Sequence, residues 1–148
     1  MTQVKFNVLG DPKGKGRPVF SRRGKYVSVR TPEDTVSYEN LVKIEYRAQT
    51  DDFKFPDTSF LGMEINAYYS IPKSTSKKKA LKMLAGEIRP TKKPDIDNVI
   101  KIIADGLNQI AYHDDTQITD IIVRKRYSDN PRVEVTITDL SEEFLEKE

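Results

Sequence analysis

The sequence predicts a single α+β domain, a mixed β-sheet with helices packed on one face. Three observations lead there. The chain has 148 residues, enough for one hydrophobic core and too few for two with linkers. Segments with an apolar residue at every second position alternate with segments of helical period, in the order βββαβααββ. No internal repeat divides the chain. Residues 1–140 are expected to form the domain and residues 141–148 an acidic C-terminal segment, a short helix or tail.

The elements follow in order. Val4, Phe6 and Val8 alternate with Gln3, Lys5 and Asn7, the period of a half-buried strand. A Gly/Pro/Lys loop spans Gly10 to Pro18. Val19-Phe20 and Tyr26 to Val29, around Ser21-Arg-Arg-Gly24, then form a hairpin with a basic tip. Thr31 is a good N-cap, Pro32 suits the first helical position, and Glu33 and Asp34 favour the positive end of the helix dipole. That helix runs to about Gln49 and is expected to turn Leu41, Ile44 and Ala48 inward. Phe60 to Ser70 is a strand closed by Pro72, with Met63, Ile65, Ala67 and Tyr69 alternating. Ser74 or Ser76 caps a short lysine-rich helix ending at Gly86. Asp97 is expected to cap a helix with Ile100, Ile103, Ala104, Leu107 and Ala111 on one face. Gln117 to Tyr127 and Arg132 to Thr138 close the domain as a hairpin around Ser128-Asp-Asn-Pro131.

Composition excludes several classes of function. Charged residues make up 32% of the chain, and no apolar run approaches the roughly 20 residues of a membrane span. Lys5 and Asn7 interrupt any leader-like run, so a cytoplasmic protein is expected. There is no Cys and only His113, which removes disulfides, thiolate zinc sites and cysteine nucleophiles. Any metal must be held by oxygen.

The net charge of +2 hides segregation. Residues 11–30 carry seven basic residues and one acid, and residues 73–93 carry eight and one. Residues 94–120 reverse this, with six Asp against Lys101. A polyanionic substrate handled together with a metal ion needs this combination, cations for phosphates and carboxylates for the metal. Lys13, Lys15, Arg17, Arg22, Arg23, Lys77, Lys78 and Lys79 are the expected DNA contacts.

Two motifs fail on inspection. The glycines of Gly10-Asp-Pro-Lys-Gly14-Lys-Gly16 are too closely spaced for a phosphate loop, and Gly16 replaces the Ser/Thr that binds magnesium, so no nucleotide cofactor is expected. Asp95-Ile-Asp97-Asn98 opens like an EF-hand, but Val99 and Ile100 stand where a ligand and a Gly are required. What remains is Asp95 and Asp97, two apart in extended chain and so on one side, with Lys101 a helical turn beyond. The helix dipole opposes a cation there, so a metal site needs about three acids. Asp114 and Asp115 supply the remainder if the following strand returns beside the helix start. Asn98 can orient a carboxylate, and His113 can serve as base or phosphate contact, although either also suits a bystander.

The segment Lys93-Pro-Asp95-Ile-Asp97-Asn98-Val-Ile-Lys101-Ile-Ile-Ala-Asp105-Gly-Leu-Asn108, with Ile110-Ala-Tyr112-His-Asp114-Asp115-Thr-Gln-Ile118, resembles the RusA-type Holliday-junction resolvases common in phages and prophages. Weaker similarity extends over most of residues 4–138. The resemblance implies a RusA-like fold, a homodimer, and a structure-selective endodeoxyribonuclease acting on four-way DNA junctions in recombination and repair. It further implies Asp95, Asp97 and Asp115 as magnesium ligands, with Mn2+ as a substitute, and Lys101 as an essential cation. Chemistry agrees: paired nicks need two sites, which a two-fold dimer supplies, and Lys101 suits neutralising charge on the reacting phosphate. Asp105 is expected to pair with Lys101, and Tyr68 and Tyr69 are candidates for stacking on bases, although core packing explains at least one of them better. The residues alone also admit a non-catalytic DNA-binding module, or a nuclease acting on flaps or forks.

Overall fold

The computed structural model describes residues 1–145. In chain order they form β1 (Gln3–Leu9), β2 (Val19–Arg23), β3 (Tyr26–Arg30), α1 (Glu33–Thr50), β4 (Leu61–Ser70), α2 (Lys77–Leu84), α3 (Ile96–Gly106), a single 3-10 turn (Asp115–Gln117), β5 (Ile118–Ser128), β6 (Arg132–Asp139) and α4 (Glu142–Leu145). The predicted order holds, with the 3-10 turn added and the acidic C-terminal segment beginning as the short helix α4.

The sheet runs β1-β6-β4-β5 and is mixed. β6 pairs antiparallel with both β1 and β4, whereas β5 pairs parallel with β4. Parallel neighbours require a crossover, and α2 and α3 provide it. The expected closing hairpin is not formed: β4 inserts between β5 and β6. β4 is the strand that buries Leu61, Met63, Ile65, Ala67 and Tyr69, and its central place pairs both of its edges.

Helices cover one face. Tyr38, Val42 and Tyr46 of α1 join Val99, Ile102 and Ile103 of α3 and the inward residues of β1, β4 and β6 in one core. The other face is polar, with Arg124 on Glu64 at 2.6 Å and Arg132 over the Tyr68 ring at 4.1 Å. Tyr69 points into the core and donates its hydroxyl to Pro94 O at 2.6 Å, so it is not a surface for bases.

Three helical details differ from the sequence reading. α1 buries Thr35, Tyr38, Val42 and Tyr46, leaving Leu41, Ile44 and Ala48 on its outer side. The Tyr-Val-Tyr stripe, spaced by four, offers more apolar area than the stripe it displaces. Pro32, not Thr31, occupies the N-cap position, and no side chain caps this helix. α3 starts two residues earlier than expected, with Asp95 at its N-cap and Asp97 in the first turn. Asp95 and Asp97 are therefore not on one extended segment.

β2 and β3 stand apart as a two-stranded ribbon with every residue exposed. At the other end, Glu142 accepts the Thr2 backbone N–H at 2.7 Å, and the Phe144 ring lies 5.8 Å from that of Phe60. The start of the expected tail thus packs on the domain, while residues 146–148 lie outside the described residues. No helix of the described residues is long and apolar enough to cross a membrane.

Candidate functional site

α3 is the beam on which the site is built. Ile102, Ile103 and the following Leu107 are fully buried, each contributing about 1.5–3 kcal/mol, so the acids at its start are carried on a firmly held rod. Asp95 makes no side-chain capping bond, which leaves its carboxylate available to a ligand. Lys101 Nζ lies 4.0 Å from Asp97 Oδ2, the contact expected one turn apart.

The basic loop lies directly on this helix start. Lys15 N–H donates to Asn98 O at 3.0 Å, and Gly16 N–H donates to Thr35 Oγ1 at 2.9 Å. A Cβ on Gly14 would stand 2.8 Å from Pro94 Cβ, and one on Gly16 would stand 2.7 Å from Thr35 Oγ1. These glycines are there for close approach, which explains a phosphate-loop look without its chemistry. The result is a concavity of about 350 Å³ in which Asp95, Asp97, Asn98 and Lys101 meet Lys15 and Arg17. A larger one of about 820 Å³ adjoins it through Lys15, Arg17, Asp95 and Asn98, and reaches Lys13 and Lys93.

Lys15 has an internal role. Its ammonium sits 2.7 Å from Glu39 and 3.4 Å from Asp105. Burial works against its charge, but the two carboxylates prevail and hold its pKa above the ordinary lysine value. Asp105 thus pairs with Lys15, not with Lys101 as expected.

Asp115 stands at the other end of α3. Its backbone N–H donates to Asn108 Oδ1 at 2.9 Å. Burial, then a hydrogen-bond contact with Asp105, then the charge of Asp114 push its carboxyl above the usual range. Asp114 turns back on its own loop: its carboxylate accepts from Thr116 N–H, which lowers its pKa, and Gln117 completes the cap. His113 is exposed, with Nδ1 at 3.4 Å from Gln109 Nε2.

The structure therefore brings together Asp95, Asp97, Asn98 and Lys101, but does not bring Asp115 into their pocket. Asp97 and Asp105 are separated by about 12 Å of helix rise, and Asp115 goes with Asp105. Among the described residues no group of three His, Cys, Asp or Glu is gathered closely enough to hold a metal ion. The donor chemistry still suits a hard dication, since the acids offer only oxygen.

Three residues near the site escaped the sequence reading: Glu39, Asp105 as a partner of Asp115, and Lys125. Lys125 Nζ donates to Lys92 O at 2.7 Å and lies 5.1 Å from the Tyr69 ring. Burial lowers its pKa, while the Asp95 charge opposes this. Nothing in the spacing of Glu39 or Lys125 signals these contacts, because both depend on how the elements pack. Lys77, Lys78 and Lys79 are exposed on α2, and Arg22 and Arg23 on β2.

The chain is 40% identical over 146 residues to the uncharacterized protein YqaN of Bacillus subtilis (strain 168), covering 95% of this chain and 99% of that one. The family model for endodeoxyribonuclease RusA matches residues 10–138, a span that begins at the basic loop, takes in the acids and lysine of α3, and ends in β6. A match over that much of the domain makes the chain a member of the RusA endodeoxyribonuclease family.

Proposed function

We propose that the protein is a Mg2+-dependent endodeoxyribonuclease that resolves four-way DNA junctions by paired symmetric nicks, acting as a homodimer. The observation that carries this reading is the pocket in which two carboxylates and Lys101 face the basic loop. Asp95 and Asp97 would hold the ion, and Asp115, which lies beside Asp105 about 12 Å of helix rise away, would complete the set only after the 3-10 turn shifts toward the start of α3. Asp114 is the weaker candidate because its carboxylate already caps the adjacent turn.

The bound ion, Mg2+ or Mn2+, would supply charge to the scissile phosphate and acidify an attacking water. Lys101 neutralises charge that grows on the phosphate oxygens as the bond breaks. Lys13 and Arg17 line the same concavities and hold the flanking phosphates. Lys15, fixed by Glu39 and Asp105, keeps the loop against α3 and orients Asp105 beneath Asp115. Arg22, Arg23, Lys77, Lys78 and Lys79 extend the phosphate-binding surface beyond the pocket, and Asn98 orients the bound phosphate or a carboxylate.

The test separates binding from cleavage on a synthetic junction. Asp97→Asn is expected to bind at least as tightly as wild type, having lost a negative charge, and to nick at under a hundredth of the rate. Unchanged nicking by Asp97→Asn would remove the pocket from the reaction. A wild type that binds junctions but cuts no DNA with Mg2+ would favour the non-catalytic binding module instead.

A further inference from the structure

The β2–β3 ribbon presents two unlike faces. Its register pairs Val19 with Arg30, Phe20 with Val29, Ser21 with Ser28, Arg22 with Val27 and Arg23 with Tyr26. Paired residues share a face and successive pairs alternate. One face therefore carries Phe20, Val29, Val27 and Arg22. The other carries Ser21, Ser28, Arg23, Tyr26 and Arg30, which line a shallow concavity of about 480 Å³.

Such a ribbon is marginal in water by itself. Phe20 is 70% exposed, Val27 60% and Val29 57%, an apolar group left uncovered by the other described residues. Its occupant can be argued from charge and position. Residues 19–30 contain Arg22, Arg23, Lys25 and Arg30 and no acid, and Arg22 sits within the apolar face. Four cations without an acid favour a polyanion over a protein surface, and an aromatic beside a guanidinium suits a base beside a phosphate. The ribbon also springs from the site: Arg17 and Pro18, which line the acidic pocket, lead directly into Val19.

We propose that this ribbon reads the branch of the DNA: Phe20, Val27 and Val29 cover unstacked bases where the arms part, while Arg23 and Arg30 on the reverse face take the phosphates of one arm. This deepens the junction reading above and rests on it. A continuous duplex offers no exposed base faces, so the apolar face gains contact only at a branch. The ribbon thereby confers preference for branched DNA, and the cationic face confers general affinity.

The experiment compares the affinity of the full chain for a four-way junction and for a linear duplex, in EDTA so that no strand is cut. The variant Phe20→Ala/Val27→Ser/Val29→Ser is expected to lose about tenfold of the junction-over-duplex preference, in keeping with the scale of base–aromatic stacking, with duplex affinity within twofold. Arg23→Ala/Arg30→Ala is expected to weaken both substrates alike and to flatten the salt dependence by roughly two phosphate contacts. Circular dichroism checks that both variants keep the fold. An unchanged preference in the first variant overturns the inference, as does a wild type without preference. So does a first variant that falls from dimer to monomer on sedimentation, which would assign the apolar face to a second copy of the chain. Nicking by wild type in Mg2+, measured alongside, tells the two readings apart. Nicking with an unmoved preference fails the ribbon alone, and a lost preference without any nicking fails the catalytic reading alone.

Discussion

Asp139 shows how a single carboxylate can tie the ends of this fold together. It is 2% exposed, accepts Ser59 Oγ–H at 2.7 Å, and takes the Ser141 backbone N–H at 3.0 Å on its other oxygen. Burial alone would raise its pKa, but the bonds from Ser141 and Ser59 outweigh it and hold the carboxyl below its ordinary value. A depressed pKa contributes stability that is complete above the unfolded value and disappears as pH falls through the folded one. Asp139→Asn is accordingly expected to cost about 1–3 kcal/mol at pH 7, and much less below pH 3.8, the unfolded reference. Urea midpoints at the two pH values check this, and an equal gap at both would contradict it. Nothing in the sequence marks Asp139 out from the other acids near the C-terminus. Its partners Ser59 and Ser141 are known only once β6 is placed beside the chain entering β4.

The elements were largely legible because their signals are local: alternation for the strands, Ser76 before α2, the i, i+3, i+4 stripe for α3. What stayed hidden is what depends on partners. Two stripes on α1 compete, and only packing on β1 and α3 decides that Tyr38, Val42 and Tyr46 face inward. Likewise, β5 and β6 read as a hairpin until β4 is seen to separate them. Ile103→Ala is expected to destabilise by about 2–5 kcal/mol, whereas Ile44→Ala on the outer side of α1 should change stability by under about 0.5 kcal/mol. Comparable losses in chemical denaturation would mean that α1 is turned the wrong way. The loop makes a sharper test. Gly14→Ala puts a methyl group 2.8 Å from Pro94 Cβ, so the loop must lift from α3. A loss of at least tenfold in junction nicking with little change in melting temperature is expected. Unimpaired nicking would show that contact between loop and helix start is dispensable.

At the level of the entire protein, a mixed sheet fixes one rigid helix, and a cationic loop folds over the start of that helix. The acidic centre with basic flanks was legible in sequence because charge segregation needs no coordinates. The division of the aspartates between the two ends of α3 was not, since it follows from where β5 begins and from Lys15 reaching Asp105. Membership of the RusA endodeoxyribonuclease family supplies the reaction, and paired cutting is the property that a dimer with two such pockets would confer. A supercoiled plasmid bearing an extruded cruciform reads that property in one gel. With wild-type protein and Mg2+, linear plasmid is expected as the first product, and Asp97→Asn should leave the circle supercoiled. Relaxed circles that never become linear would contradict paired action, and a wholly intact plasmid would contradict the enzyme itself.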